Sequence, residues 1–210
     1  MRRLLTFLLT LALVLTGADF GLRFLSEYWV SRQVQKSLAL PSRPSISFEG
    51  FPFIPRLVSG DFPSAEVRTG PFTDDGVRLE RVRLTLRDVH FSTRQLLFGT
   101  RAAIRAARGD GVAVVTTIDV TATPVGPVRV RFTGGGAVVT SDRLPSPVKA
   151  TVALSGSGLV VRSGGPALPG SFDVKLPELV AGLRYTNVTS VGSEADLQFV
   201  LARPRFEITS

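Results

Sequence analysis

Gly50-Phe51-Pro52-Phe53-Ile54-Pro55-Arg56-Leu57-Val58-Ser59-Gly60 governs how the rest of the chain is read. Two glycines bracket the segment, two prolines stiffen it, and Phe51, Phe53, Ile54, Leu57 and Val58 crowd between them. Each proline fixes φ and removes a backbone donor, so the segment is not a central strand. It is also too apolar for an ordinary solvated loop, so it packs on the body of the protein or faces something greasy. A short helix over Phe53 to Ser59 would bring Phe53, Ile54, Leu57 and Val58 to one face.

Downstream the chain reads as β-structure. Gly76 to Phe91 carries the strongest signal: Val77 and Leu79 alternate with Arg78 and Glu80, then Val82, Leu84 and Leu86 alternate with Arg83, Thr85 and Arg87. The phase slips before Val82 and again before Val89. Period-two alternation means one apolar and one wet face, and a slip marks a bulge that bends the strand. At roughly 3.3 Å per residue the run reaches about 50 Å, which argues for a long curved sheet or two kinked strands. Further strands are predicted at 46–49, 65–68, 112–123, 128–133, 137–140, 148–155, 159–162, 183–188 and 195–201, an antiparallel meander. Asp74-Asp75-Gly76 reads as a turn. Ser92 to Ala107 is expected to be mostly helical and closed by Gly109-Asp110-Gly111, and Pro177 to Leu183 to form one or two helical turns.

Upstream, Met1-Arg2-Arg3 precedes an apolar run from Leu4 to Ala18. This is a secretory signal pattern, with Thr16 and Ala18 at the −3 and −1 positions of a cleavage site before Asp19. The run is short of the roughly 20 residues of a membrane span. Apolar character resumes at Phe20, Leu22, Phe24 and Leu25, so an uncleaved anchor is the alternative. Either way the chain is expected outside the cytoplasmic membrane, in the periplasm or cell envelope, with residues 19–210 forming one domain. Asp19 to Leu40 reads as a helix, with Phe20, Phe24, Tyr28 or Trp29, Val34 and Leu38 near helical spacing. It either faces the core or lies on a membrane surface or lipid groove.

Composition excludes much chemistry. There is no cysteine, hence no disulfide, thiolate metal site or cysteine nucleophile. The net charge of +8 falls to +6 without residues 1–18, which hold Arg2, Arg3 and no acid. The arginines are scattered along strands, with no basic run interleaved with aromatics, so nucleic acid is not the expected partner. His90 is the only histidine and lies on the face opposite Val89 and Phe91. No Gly-x-Ser-x-Gly elbow, P-loop or dinucleotide loop occurs. The chain reads as a binding protein rather than an enzyme, with no catalytic residue, metal or cofactor expected.

The Gly50–Gly60 segment and the strand after it resemble the LmeA family of actinobacterial envelope proteins. The shared pattern is a signal or anchor, an Asp-led helix, a Gly-Phe-Pro-Phe segment, and the Gly76–Val89 strand with its Leu-Arg-Asp-Val ending. Ile54-Pro55 stands where Leu-Thr is more usual, and Gly99 to Ala107 is unusually rich in arginine and alanine. The resemblance implies a periplasmic phospholipid-binding protein linked to envelope lipid or lipoglycan maintenance. It also implies a fold similar to the lipid-binding tubes of bactericidal permeability-increasing protein. The expected fold is therefore α+β, a long curved antiparallel sheet wrapped around one or two helices after the N-terminal signal or anchor helix. Acyl chains would meet Phe51, Phe53, Ile54, Leu57 and Val58 at a mouth and Val82, Leu84 and Leu86 on the sheet, with Arg56 on a lipid phosphate. Phe51 to Val58 could equally plug the open end of the sheet. The expected partners are phospholipid and a membrane surface. The alternative is a membrane-held adaptor that binds another envelope protein.

Overall fold

The computed structural model describes residues 2–37, 40–98, 101–121, 123, 126–163, 168 and 170–209. The fold is α+β. In chain order the elements are α1 (Arg2–Ser37), β1 (Ser45–Glu49), α2 (Phe53–Ser59), β2 (Asp61–Thr69), β3 (Phe72–Asp74), β4 (Val77–Phe91), α3 (Thr93–Phe98) and β5 (Arg101–Val120). Then follow β6 (Val128–Thr133), β7 (Gly136–Thr140), β8 (Val148–Ser155), β9 (Gly158–Ser163), β10 (Ser171–Lys175), β11 (Leu183–Val191), β12 (Glu194–Ala202) and β13 (Arg205–Thr209). Strands pair in the order β1-β2-β4-β5-β6-β7-β8-β9-β10, with β3 on β4, β12 and β13 on β5, and β11 on β12. The hairpins from β6 to β10 and the β11–β12 pair are antiparallel. Among the described residues no helix is long and apolar enough to cross a membrane.

The chain divides into two compact units, Met1–Val67 with Thr85–Ala107 and Arg205–Ser210, and Arg68–Leu84 with Arg108–Pro204. The first is built on an aromatic cluster. Phe62 is 4.9 Å from Phe48, 5.3 Å from Phe53 and 5.6 Å from Phe91, between ring centres, and stacks on Phe91 at 13°. Such ring pairs add about 0.5–1.5 kcal/mol each beyond the apolar area they bury. β13 pairs with the start of β5, Arg205 opposite Arg105 and Thr209 opposite Arg101.

In the second unit the ladder forks. Up to Val115, β5 pairs with β12, and from Thr117 it pairs with β6. Val128, Val130 and Phe132 of β6, Val139 of β7, Val161 of β9 and Leu197 and Phe199 of β12 are all buried. This is the strict alternation of strands with one face in a core. Gly111 lies at the closest approach. A Cβ there would stand 2.4 Å from both the Arg83 carbonyl oxygen and the Phe199 ring.

β4 carries the two phase shifts read from its alternation. Glu80 and Arg81, then Arg87 and Asp88, stand together outside the buried series, and Asp88 takes the left-handed conformation with φ 52°. That is the local geometry of a bulged strand.

Several expectations are corrected. The helix predicted over Ser92 to Ala107 is confined to Thr93–Phe98, and β5 begins at Arg101. The helical preference of the alanine- and arginine-rich stretch is overridden by its ladder with β13. Gly109-Asp110-Gly111 does not end an element but lies inside β5, where glycine permits the close contact just described. Pro177 to Leu183 is not helical; Tyr185 Oη donates to the Pro177 carbonyl at 2.8 Å and ties that stretch to β11. β3, β10 and β13 were not among the predicted strands: β3 has only three residues, and β10 (Ser171–Lys175) and β13 (Arg205–Thr209) alternate polar and apolar over no more than five. The helix expected to start at Asp19 is continuous with the preceding segment and ends at Ser37; Leu38 lies outside the described residues.

Candidate functional site

The site is built around α2, in the first unit. A helix leaves its first N–H groups without internal partners. The residue before α2, Pro52, has an extended backbone and no side-chain cap to offer, and the peptide preceding it is cis. The cap comes instead from α1. The two carboxylate oxygens of Asp19 accept the Phe53 N–H at 2.8 Å and the Ile54 N–H at 2.7 Å. The third helical residue is Pro55, which has no N–H to satisfy. Asp19 is 6% exposed, so a buried acid is spent entirely on holding α2. At the other end Gly60, left-handed with φ 76°, donates to the Arg56 carbonyl at 2.7 Å and accepts from the Phe91 N–H at 2.9 Å. The Thr93 hydroxyl donates to the Leu57 carbonyl, tying the start of α3 to α2.

α1 reaches the rest of the unit through its polar residues. Arg23 Nε pairs with Glu27 at 3.0 Å and Arg23 Nη2 donates to Ser47 Oγ at 3.2 Å. Glu27 accepts the Phe48 N–H at 3.0 Å, and the Ser31 hydroxyl donates to the Pro44 carbonyl. With Val30 buried between them, these groups bind α1 to β1. Phe20, Phe24, Tyr28 and Trp29, which the sequence left facing either a core or a membrane surface or lipid groove, are exposed, which corrects the core-facing reading. The reason is the polar groups that the Asp19–Ser31 face meets: the Phe48 N–H on the edge of β1, the Ser47 hydroxyl, the Pro44 carbonyl and the first N–H groups of α2 all take their partners from it.

The Phe51–Val58 residues separate into two roles. Phe53 is 1% exposed and belongs to the aromatic cluster, so it is a plug. Phe51 and Val58 are 68% and 75% exposed. Ile54 and Leu57 are half-buried between them. Arg56 is part-buried against Gly50, and its Nε is shielded from solvent with no hydrogen-bond partner among the described residues. Leu86 is buried in the same unit, whereas Val82 and Leu84 are buried in the second. Asp19 is the residue the sequence reading placed but did not connect. A lone acid ending an apolar run was its only signal, and its partners lie 34 and 35 residues away.

Other polar features offer less. His90 lies on the exposed face of β4, where its Nδ1 meets a carboxylate oxygen of Asp61. No group of three or more potential metal ligands occurs among the described residues. In the second unit a recess of about 350 Å³ is lined by Asp119, Arg129, Thr140 and Asp142 among others. Arg129 is held there by Asp119 at 2.7 Å, which raises its pKa further. Val120, Pro127 and Val128 share that lining with the charged groups, so it is mixed rather than an apolar groove.

Neither a curated protein nor a solved structure matches the chain. A family model described as LmeA-like phospholipid-binding matches residues 17–206, from just ahead of the capping aspartate to the last strand. The chain belongs to the LmeA-like phospholipid-binding family.

Proposed function

We propose that the protein is a cell-envelope lipid-binding protein that holds a phospholipid by its acyl chains, with the outer side of α2 as the mouth. Phe51, Ile54, Leu57 and Val58 meet the hydrocarbon, Phe53 closes the aromatic floor beneath them, and Arg56 meets the phosphate. The observation that carries this reading is Arg56. A guanidinium nitrogen shielded from water without a partner is costly, and a phosphate oxygen is the acceptor its planar fork suits best. Around it stand exposed apolar side chains, the combination that a lipid headgroup with its first methylenes requires. Burial contributes about 0.8 kcal/mol per methylene, so most of one long chain offsets roughly 10 kcal/mol of exposure to water. Export rests on the Met1–Ala18 pattern, and the role in envelope lipid or lipoglycan maintenance rests on the family resemblance.

The test is extraction. The purified chain is treated with organic solvent and the extract analysed by mass spectrometry. About one phospholipid per chain is expected. Arg56→Gln should lower recovery of phospholipid without moving the unfolding midpoint by more than a degree or two. A stable, lipid-free protein would sink the reading and favour the adaptor role.

A further inference from the structure

α1 presents a second surface that the first unit leaves unused. Opposite the Asp19–Ser31 face, Phe24, Leu25, Tyr28 and Trp29 are 71, 62, 45 and 41% exposed. At 100° per residue Arg32 and Lys36 continue this face, and both are exposed. Along the axis the order is apolar (Leu22, Phe24, Leu25), then amphipathic aromatic (Tyr28, Trp29), then basic (Arg32, Lys36). The guanidinium of Arg43 sits 4.4 Å from the centre of the Tyr28 ring, adding a third cation at the same level. The single acid between Phe20 and Lys36 is Glu27, which is turned inward and engaged with Arg23 and the Phe48 N–H.

A protein groove would ask for an apolar stripe with no such grading. A bilayer asks for this order. Hydrocarbon gives way to headgroups over about 5–10 Å, tyrosine and tryptophan collect at that boundary, and lysine and arginine lie at the phosphates. At 1.5 Å per residue, Leu25 to Arg32 covers about 10 Å. Three cations without an opposing acid favour an anionic surface.

We infer that α1 docks the protein on an anionic lipid bilayer. Leu22, Phe24 and Leu25 enter the acyl region, Tyr28 and Trp29 lie at headgroup depth, and Arg32, Lys36 and Arg43 contact lipid phosphates. This deepens the lipid-binding reading and rests on it: because Asp19 fastens α2 to α1, docking α1 carries the proposed mouth to the membrane from which lipid is drawn.

Trp29 is the only tryptophan, so its fluorescence reports this surface alone. The full chain is mixed with phosphatidylcholine vesicles, with and without one quarter phosphatidylglycerol. With phosphatidylglycerol, Trp29 emission should shift to the blue. Spin-labelled lipids should quench it more with the label high on the chain than deep. Leu25→Asp should abolish the shift while leaving the unfolding midpoint in place. Arg32→Gln with Lys36→Gln should weaken binding to the anionic vesicles about tenfold or more, and binding to pure phosphatidylcholine far less. Emission unmoved by vesicles, equal affinity for both compositions, or a blue shift that grows with protein concentration alone would each overturn the inference. The last would make the face a contact between copies of this chain. Solvent extraction of the purified chain, taken before any vesicle is added, separates the two readings. If phospholipid is absent from the extract while Trp29 still inserts, the lipid-holding function fails and docking stands. If phospholipid is present while Trp29 stays in water, docking alone fails.

Discussion

At the scale of single residues, a few side chains decide the site. Asp19 satisfies two backbone donors from a buried position. Hydrogen bonds to a charged acceptor are worth about 1.5–3 kcal/mol each, so Asp19→Ala should cost about 3 kcal/mol by denaturant unfolding and Asp19→Asn about half of that. An unchanged midpoint would mean that α2 is held by something else. Phe53 and Val58, five positions apart, should behave oppositely. Phe53→Ala empties a position 1% exposed and should cost about 3–5 kcal/mol. Val58→Asp, at a position 75% exposed, should change stability by no more than about 0.5 kcal/mol yet lower phospholipid recovery. Tyr185 belongs to the second unit's core, its ring 6.2 Å from Phe199. Burial, then the negative charge of Asp74, hold its phenol well above the usual value of 10. The folded state therefore keeps the proton more tightly than the unfolded chain. Its contribution is complete below about pH 10 and is lost as the pH rises beyond. Tyr185→Phe should cost about 1 kcal/mol at neutral pH through the lost bond to Pro177. It should also flatten the alkaline fall in stability relative to the parent protein, as read by unfolding curves from pH 7 to 11.

At the scale of elements, what was legible depended on whether the determining contacts were local. α2 was readable because proline, glycine and the apolar spacing all act within eleven residues, and the structure has it at Phe53–Ser59 as expected. β4 was readable because alternation is a local pattern, and both slips are visible as pairs of residues standing outside the buried series. β5 was not. Its first half resembles a helix until β13, a hundred residues later, supplies the ladder. Gly111 resembled a terminator because the Phe199 ring that needs its space is equally remote. Which way the apolar face of α1 turns was left open for a related reason. Hydrophobic spacing identifies an apolar face but not which face a neighbour's unpaired backbone will demand. Gly60 offers the sharpest test at this scale. An added Cβ would lie 1.8 Å from the Phe91 carbonyl oxygen, at a φ that L-residues rarely adopt. Backbone strain alone should make Gly60→Ala cost about 1–3 kcal/mol, and the clash more. Thermal unfolding of this variant at the parent's midpoint would show that the α2 cap is not as drawn.

At the scale of the whole molecule, the lipid reading predicts linkage. A ligand held by the folded chain and not by the unfolded one stabilises by about 2.7 kcal/mol at a hundred times its dissociation constant. For a chain of this size that is a rise of roughly 5–10 °C in the unfolding midpoint. The delipidated protein should therefore melt lower, and recover when phospholipid is returned but not when a soluble phosphate is. Recovery with inorganic phosphate alone would mean that the headgroup, not the acyl chain, supplies the affinity. Alternation, turn residues and the N-terminal charge pattern were enough to read α+β architecture, the short helix between Gly50 and Gly60, and kinship with a lipid-binding family, because each is written in near neighbours. Which side of α1 meets the body, that Asp19 caps a helix thirty-four residues away, that Phe53 is buried while Phe51 and Val58 are exposed, and that Arg56 Nε is shielded with no partner among the described residues came from folding alone. Those facts depend on which distant backbone groups need hydrogen bonds and on how much room the neighbouring rings leave, and neither quantity exists until the chain has closed on itself.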